Sequence, residues 1–231
     1  MPMFFRKLIH ALYLRLMKVL INFSPTMRHS AFVGSDSSRQ LCEHIVRTGV
    51  TRVMVVTDKP LRDLGVVERA VSGLVAADLD IAYYDGVLPD PTFDQVAAGS
   101  DLARSHGSEA VLAIGGGSSI DAAKIIAAAA TSDESPADWV GFGKIKHGVL
   151  PLYAIPTTSG TGSEATMGAV ISDAITHEKN IISAGDLLPA AVALDPALIT
   201  GLPPHITAAT GMDALTHGIE AYIGVWERGT R

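Results

Sequence analysis

The sequence has one cysteine, few aromatic residues and no excess of positive charge. Cys42 stands alone, so no disulfide can close within the chain and no thiolate cluster can hold a metal. That usage predicts a cytoplasmic protein. Aromatic residues make up 6% of the chain, too few for a base-stacking platform. The formal net charge of −6 leaves no broad basic surface for nucleic acid, so no nucleic-acid partner is expected. The apolar stretch Phe4 to Leu20 is interrupted by Arg6, Lys7, Arg15 and Lys18, too often for a transmembrane span. No Ala-x-Ala site follows it, which argues against a signal peptide. There is no internal repeat.

What the chain does have is apolar content (48%) and 22 glycines in 231 residues, the composition of an α/β protein with one sizeable core. From residue 29 the pattern alternates. Helical stretches at 37–48, 59–77, 92–106 and 118–130 are interleaved with apolar, β-branched runs at 52–57, 80–84, 109–114 and 150–155. Such alternation predicts a Rossmann-like, doubly wound parallel sheet covered by helices on both faces. Residues 133–147 are polar with Pro136 and read as a loop. Residues 169–192 suggest a hairpin around Thr176 to Asn180, and 192–194 a last strand. Leu202-Pro203-Pro204 marks a boundary, which divides the chain into an N-terminal helix (1–28), an α/β domain (29–201) and the start of a second, helical domain (202–231). In the first of these, apolar residues at 5, 8, 9, 12, 16, 19 and 20 fall on one helix face, with Arg15 and Lys18 off it. That face is expected to pack on the domain or on a second subunit; a basic amphipathic helix can also lie on an anionic membrane.

The most informative stretch is Ala113-Ile114-Gly115-Gly116-Gly117-Ser118-Ser119-Ile120-Asp121-Ala122-Ala123-Lys124. A buried strand feeds a glycine turn, which feeds a helix N-terminus. Unpaired backbone N–H groups and about half a positive charge from the helix dipole then gather at one point, which suits a phosphate. Taken alone, the turn could also be only a tight strand-to-helix connection. After a second apolar run comes Pro156-Thr157-Thr158-Ser159-Gly160-Thr161-Gly162-Ser163-Glu164, hydroxyl-rich and broken by glycine, able to bond phosphate and ribose oxygens. Alone it reads as a turn with Ser163 as a helix cap. Asp58 directly follows the run Arg52 to Thr57. An acid there can accept from ribose hydroxyls and would repel the 2′-phosphate of NADP, although an aspartate after a strand is also a common helix cap.

With these segments in this order, from about Ser30 to Gly224, the sequence resembles the iron-containing (group III) alcohol dehydrogenase family. The matching stretches are Val56-Thr57-Asp58-Lys59, Gly86 to Thr92, the triple-glycine turn, Pro156 to Glu164 and Ala208-Ala209-Thr210-Gly211-Met212-Asp213-Ala214-Leu215-Thr216-His217. The last of these favours the alcohol dehydrogenases over glycerol dehydrogenase and dehydroquinate synthase, which share the architecture. The resemblance implies reversible hydride transfer between a small alcohol and its aldehyde or ketone, with NAD and Fe²⁺ (or Zn²⁺) as cofactors. It also implies an α/β nucleotide domain followed by an all-helical one, and a homo-oligomer is expected. It implies that Gly116, Gly117, Ser118 and Asp121 line the pyrophosphate site, that Thr157 and Thr158 lie along the cofactor with Lys179 near its ribose, and that Asp58 reads the adenosine ribose. One departure stands inside the match: Pro89-Asp90-Pro91-Thr92 occurs where many relatives carry Pro-Asn-Pro-Thr. An acid there loses a donor and adds negative charge near a doubly negative cofactor.

Asp213 and His217 are four residues apart in a stretch of helical spacing, so both can face one ion, a geometry equally met by surface hydrogen bonds. The resemblance makes them metal ligands. Two further ligands of the family are histidines on later helices, and none follows His217 here. The expectation is therefore a truncated alcohol dehydrogenase, ending in the first helix of an incomplete helical domain. A non-catalytic nucleotide-binding fragment is the alternative.

Overall fold

The computed structural model describes residues 29–224 and, ahead of them, positions 5, 6, 9, 10, 12, 13, 15 and 16. Those earlier positions are helical; the rest of the helix expected over 1–28 lies outside the described residues, as do residues 225–231.

The expected parallel sheet is present. Its strands are β1 (Ser30–Val33), β2 (Arg52–Val56), β3 (Asp80–Tyr84), β4 (Ala110–Gly115), β6 (Leu152–Pro156) and β9 (Ala191–Leu194), in the order β1-β9-β6-β4-β2-β3 and parallel throughout. The interior strands are apolar on both faces because both faces are covered. Val53 and Val55 of β2, with Leu112 and Ile114 of β4, pack on α1 (Ser37–Arg47), α3 (Val66–Ala70) and α4 (Ser72–Ala76). Met54, Val56, Val111 and Ala113 point the other way, onto α5 (Phe93–His106) and α6 (Gly117–Ala129). Because successive side chains alternate, a register slip of one residue would exchange the two cores. The chain leaves β2 towards β3 on one side and then crosses to β4 on the other, so the carboxyl ends of β2 and β4 flank a topological switch point.

One expectation is revised. The single helix over 59–77 is instead α2 (Lys59–Asp63), α3 and α4, because Gly65 takes a left-handed conformation (φ 67°) that ends one helix and opens the next. Strand β1 carries no sequence signal, being four residues long at the sheet edge with three of them exposed. Ahead of residue 29, Ile9, Leu12 and Leu16 are exposed on the single chain. The expected hairpin is there: β7 (Gly168–Ser172) pairs antiparallel with β8 (Lys179–Ser183), and the short β5 (Gly141–Phe142) adds to it in parallel. After β9, α7 (Pro204–Ile223) begins, and none of its residues is buried.

Cys42 is wholly buried between α1 and the α3–α4 layer, its Sγ donating to the carbonyl oxygen of Ala70 at 3.2 Å. Burial pushes its thiol up to about 11, so at neutral pH it is neither a thiolate nor accessible. We expect no reaction with a thiol reagent in the folded chain and one equivalent after denaturation; rapid labelling of the native protein would contradict this packing.

Candidate functional site

The glycine turn leaves β4 and enters α6 with Gly116 at the cap position, and no side chain caps the helix. The first helix amide with a backbone partner is that of Ile120, bonded to the Gly116 oxygen at 3.1 Å. The amides of Gly117, Ser118 and Ser119 therefore stand at the positive end of a 13-residue helix. Gly116, Gly117 and Ser118 are partly exposed, whereas the rest of α6 is buried. A phosphate can reach this end of the helix and no other part of it.

The hydroxyl-rich loop lies directly against this turn. The Thr157 amide donates to the Gly115 oxygen at 2.9 Å, continuing the β4–β6 register past the strand ends. A Cβ built on Gly116 would meet Thr158 Cγ2 at 3.3 Å, and one on Gly117 would meet Thr161 Cγ2 at 2.8 Å. Such contact leaves no room for a side chain at 117 and explains the glycine by space and not by φ. Thr157 is buried, while Thr158 is half-buried at the rim. Nothing in the sequence separates Thr161 from the other hydroxyl residues of its loop; its contact with Gly117 does.

Asp58 sits across the switch point from the turn. Its Oδ1 accepts from the Leu61 amide at 2.9 Å, so it caps α2, and desolvation holds its carboxyl above the usual range. The helix-cap use of this residue is thus realised, and one carboxylate oxygen remains for a ligand.

Asp121 is buried, where Gly116, Gly117 and Ser118 are partly exposed. It is 8% exposed, its Oδ2 accepting from the Val170 amide at 2.9 Å and its Oδ1 without a hydrogen bond. Lys124 Nζ lies 3.7 Å from that Oδ1 and donates to Thr166 Oγ1 at 3.0 Å and to the Gly168 oxygen at 2.6 Å. Burial raises the Asp121 pKa and lowers that of Lys124, and each charge partly offsets the shift of the other. The pair joins α6 to the start of the β7–β8 hairpin. Sequence reasoning passes over Lys124, because a lysine among alanines looks like a solvated helix position.

Lys179, on the hairpin, pairs with Asp90 at 2.7 Å, both side chains well exposed. They line a cleft of about 340 Å³ with Pro89, Thr92, Ser172 and Asp173. The acid that departs from the family pattern is therefore neutralised by the lysine expected at the ribose, an exposed pair of small energetic value.

On α7, His217 Nδ1 lies 3.3 Å from the Gly160 oxygen. A carbonyl only accepts, so Nδ1 is the donor in that contact, and Nε2 stands 3.8 Å from Asp213 Oδ1. A backbone carbonyl of this kind orients the ring and leaves Nε2 on the side of Asp213. Yet a catalytic metal takes at least three protein donors, and among the described residues no group of three His, Cys, Asp or Glu converges. The pair supplies two donors, part of a metal site and not a whole one.

Gly160 also fixes the loop to α7: a Cβ there would fall 2.4 Å from the backbone oxygen of Thr210. Backbone cannot rotate aside, so Gly160→Ala should displace the loop or the helix at a cost of about 1–3 kcal/mol. Thermal unfolding should drop by about 2–4 °C per kcal/mol. Gly211→Ala, with nothing within 4 Å of the new Cβ, should be neutral or stabilising, and equal effects of the two would contradict the contact.

Residues 29–196 match the iron-containing alcohol dehydrogenase family. Alcohol dehydrogenase 4 of Saccharomyces cerevisiae is 39% identical over 193 residues, covering 84% of this chain and 50% of its own length. The NAD-dependent methanol dehydrogenase of Bacillus methanolicus is 35% identical, with 84% and 51% covered. Among solved structures, sulfoacetaldehyde reductase from Bifidobacterium kashiwanohense in complex with NAD⁺ superposes with a TM-score of 0.80 at 31% identity, over 86% of this chain and 53% of that one. The chain spans about half the length of the curated relatives it matches. With 29–196 matched and relatives of 35–39% identity covering 84% of its length, the chain belongs to the iron-containing alcohol dehydrogenase family.

Proposed function

We propose that this chain binds NAD(H) across the carboxyl ends of β2, β4 and β6, as the dinucleotide-binding part of an alcohol dehydrogenase. The observation that carries this is the seating of the hydroxyl loop against the open N-terminus of α6, with glycine wherever a side chain would block the approach. The pyrophosphate is assigned to the amides of Gly117 and Ser118 beside Gly116, with Thr157 and Thr158 along its flank. The ribose of the adenosine half is assigned to the remaining oxygen of Asp58, and Lys179 to the other ribose, where it must exchange Asp90 for the cofactor. Asp121 serves this site by holding α6 to the hairpin. The NAD⁺ complex of the bifidobacterial reductase supports the choice of ligand.

The attached reaction is hydride exchange between an alcohol and the nicotinamide ring, in line with the activities named for the yeast and Bacillus relatives. What these residues contribute is anchoring and orientation of the dinucleotide. Asp213 and His217 are proposed as two ligands of the metal. The two-donor half-site also favours a second reading, a chain that binds nucleotide without turnover. Alcohol-dependent NADH formation with added Fe²⁺ or Zn²⁺ separates the two.

Calorimetric titration with NAD⁺ should give one saturable site. Gly117→Ala should weaken it at least tenfold by pushing Thr161 into the phosphate path, and Thr161→Ala in the same chain should restore most of the loss. Asp58→Asn keeps the cap on α2 while removing the charge, and should move the NADP:NAD affinity ratio up by about tenfold, or about 1.4 kcal/mol. No binding, or no change in either variant, would refute the assignment.

A further inference from the structure

Five of the 18 Lys and Arg residues, and none of the 24 Asp and Glu, fall in residues 1–35, a segment of net +5 on a chain of net −6. At the described positions of its first part the backbone is helical, and Ile9, Leu12, Tyr13 and Leu16 are 54–69% exposed. Steps of three and four place residues 9, 12 and 16 on one side of a helix, with Arg6 and Arg15 to either side of that stripe. The sequence around them adds the apolar Leu8, Val19 and Leu20 and the cations Lys7 and Lys18. This is an apolar face bounded by cations, borne by an otherwise acidic protein.

We infer that this N-terminal segment is a docking surface for anionic lipid bilayers, lying in the plane of the membrane interface. Charge complementarity selects that occupant. Acidic headgroups attract the segment and repel the rest of the chain, and the acyl boundary takes the stripe that the domain leaves uncovered. A nucleic acid offers the same charge but nothing for the exposed Ile9, Leu12 and Leu16. Arg6, Lys7, Arg15 and Lys18 interrupt the apolar stretch too often for a span, which favours attachment to one surface. The inference does not depend on the nucleotide site.

The test is flotation of the full chain with vesicles of phosphatidylcholine alone and of phosphatidylcholine with 30% phosphatidylglycerol, with mass photometry of the vesicle-free protein alongside. The expected result is flotation with the anionic vesicles only, weakened by 0.5 M salt. The triple variant K7Q/R15Q/K18Q should bind about a hundredfold more weakly, at about fivefold per charge. L12Q/L16Q, altered at exposed positions, should also stay unbound while its NAD⁺ titration matches the parent. Three outcomes would overturn the inference: no flotation of the full chain, flotation that survives deletion of residues 1–24, or a dimer lost on that deletion without any vesicle binding.

Discussion

Thr161 against Gly117 on one side, and the Thr210 carbonyl against Gly160 on the other, clamp a single hydroxyl-rich loop between the start of α6 and α7. Each contact needs the absence of a side chain. The loop therefore has one seat. In that seat it borders the free amides at the start of α6, continues the β4–β6 register through Thr157, and supplies the carbonyl that orients the His217 ring. The proposed nucleotide site and the Asp213–His217 pair are in this way two sides of one short segment, so a displacement of the loop would disturb both.

The buried Asp121–Lys124 pair secures the same region from beneath. Each charge alone would be costly at this depth, and each is met by the other and by backbone or hydroxyl groups of residues 166–170. Removing one partner would leave the other uncompensated in the core, whereas the exposed Lys179–Asp90 pair can open at little cost. The site thus has a stiff floor and a rim that can exchange partners. That suits a ligand which must enter and leave.

The sheet and the site are legible in the sequence to different depths. Parallel strands covered on both faces read as continuous apolar runs, so β2, β4 and β6 are visible there, as is the glycine turn between β4 and α6. Strand β1 is not, since four residues at an edge carry no periodicity. The break at Gly65 stays hidden because a single glycine inside an apolar helical pattern does not announce a left-handed turn. Asp58, the glycine turn and the hydroxyl loop can be picked out by type and position, whereas Gly116, Gly117, Thr157 and Thr158 are singled out only by the family resemblance. The burial of Asp121 and the roles of Lys124, Thr161 and Thr210 cannot, because they arise from contacts between segments 40 or more residues apart. The pairing of Asp90 with Lys179 is equally hidden, with a separation of 89 in the sequence.

The most direct measurement is the ¹⁵N–¹H spectrum of the 231-residue chain titrated with NAD⁺, read at assigned amides. A dinucleotide held at the switch point requires saturable shifts at Gly117, Ser118 and Thr158, with smaller ones at Asp58 and Lys179. Shifts absent from the start of α6, or confined to the Asp90–Lys179 cleft, would contradict a phosphate site built from the glycine turn and its hydroxyl loop.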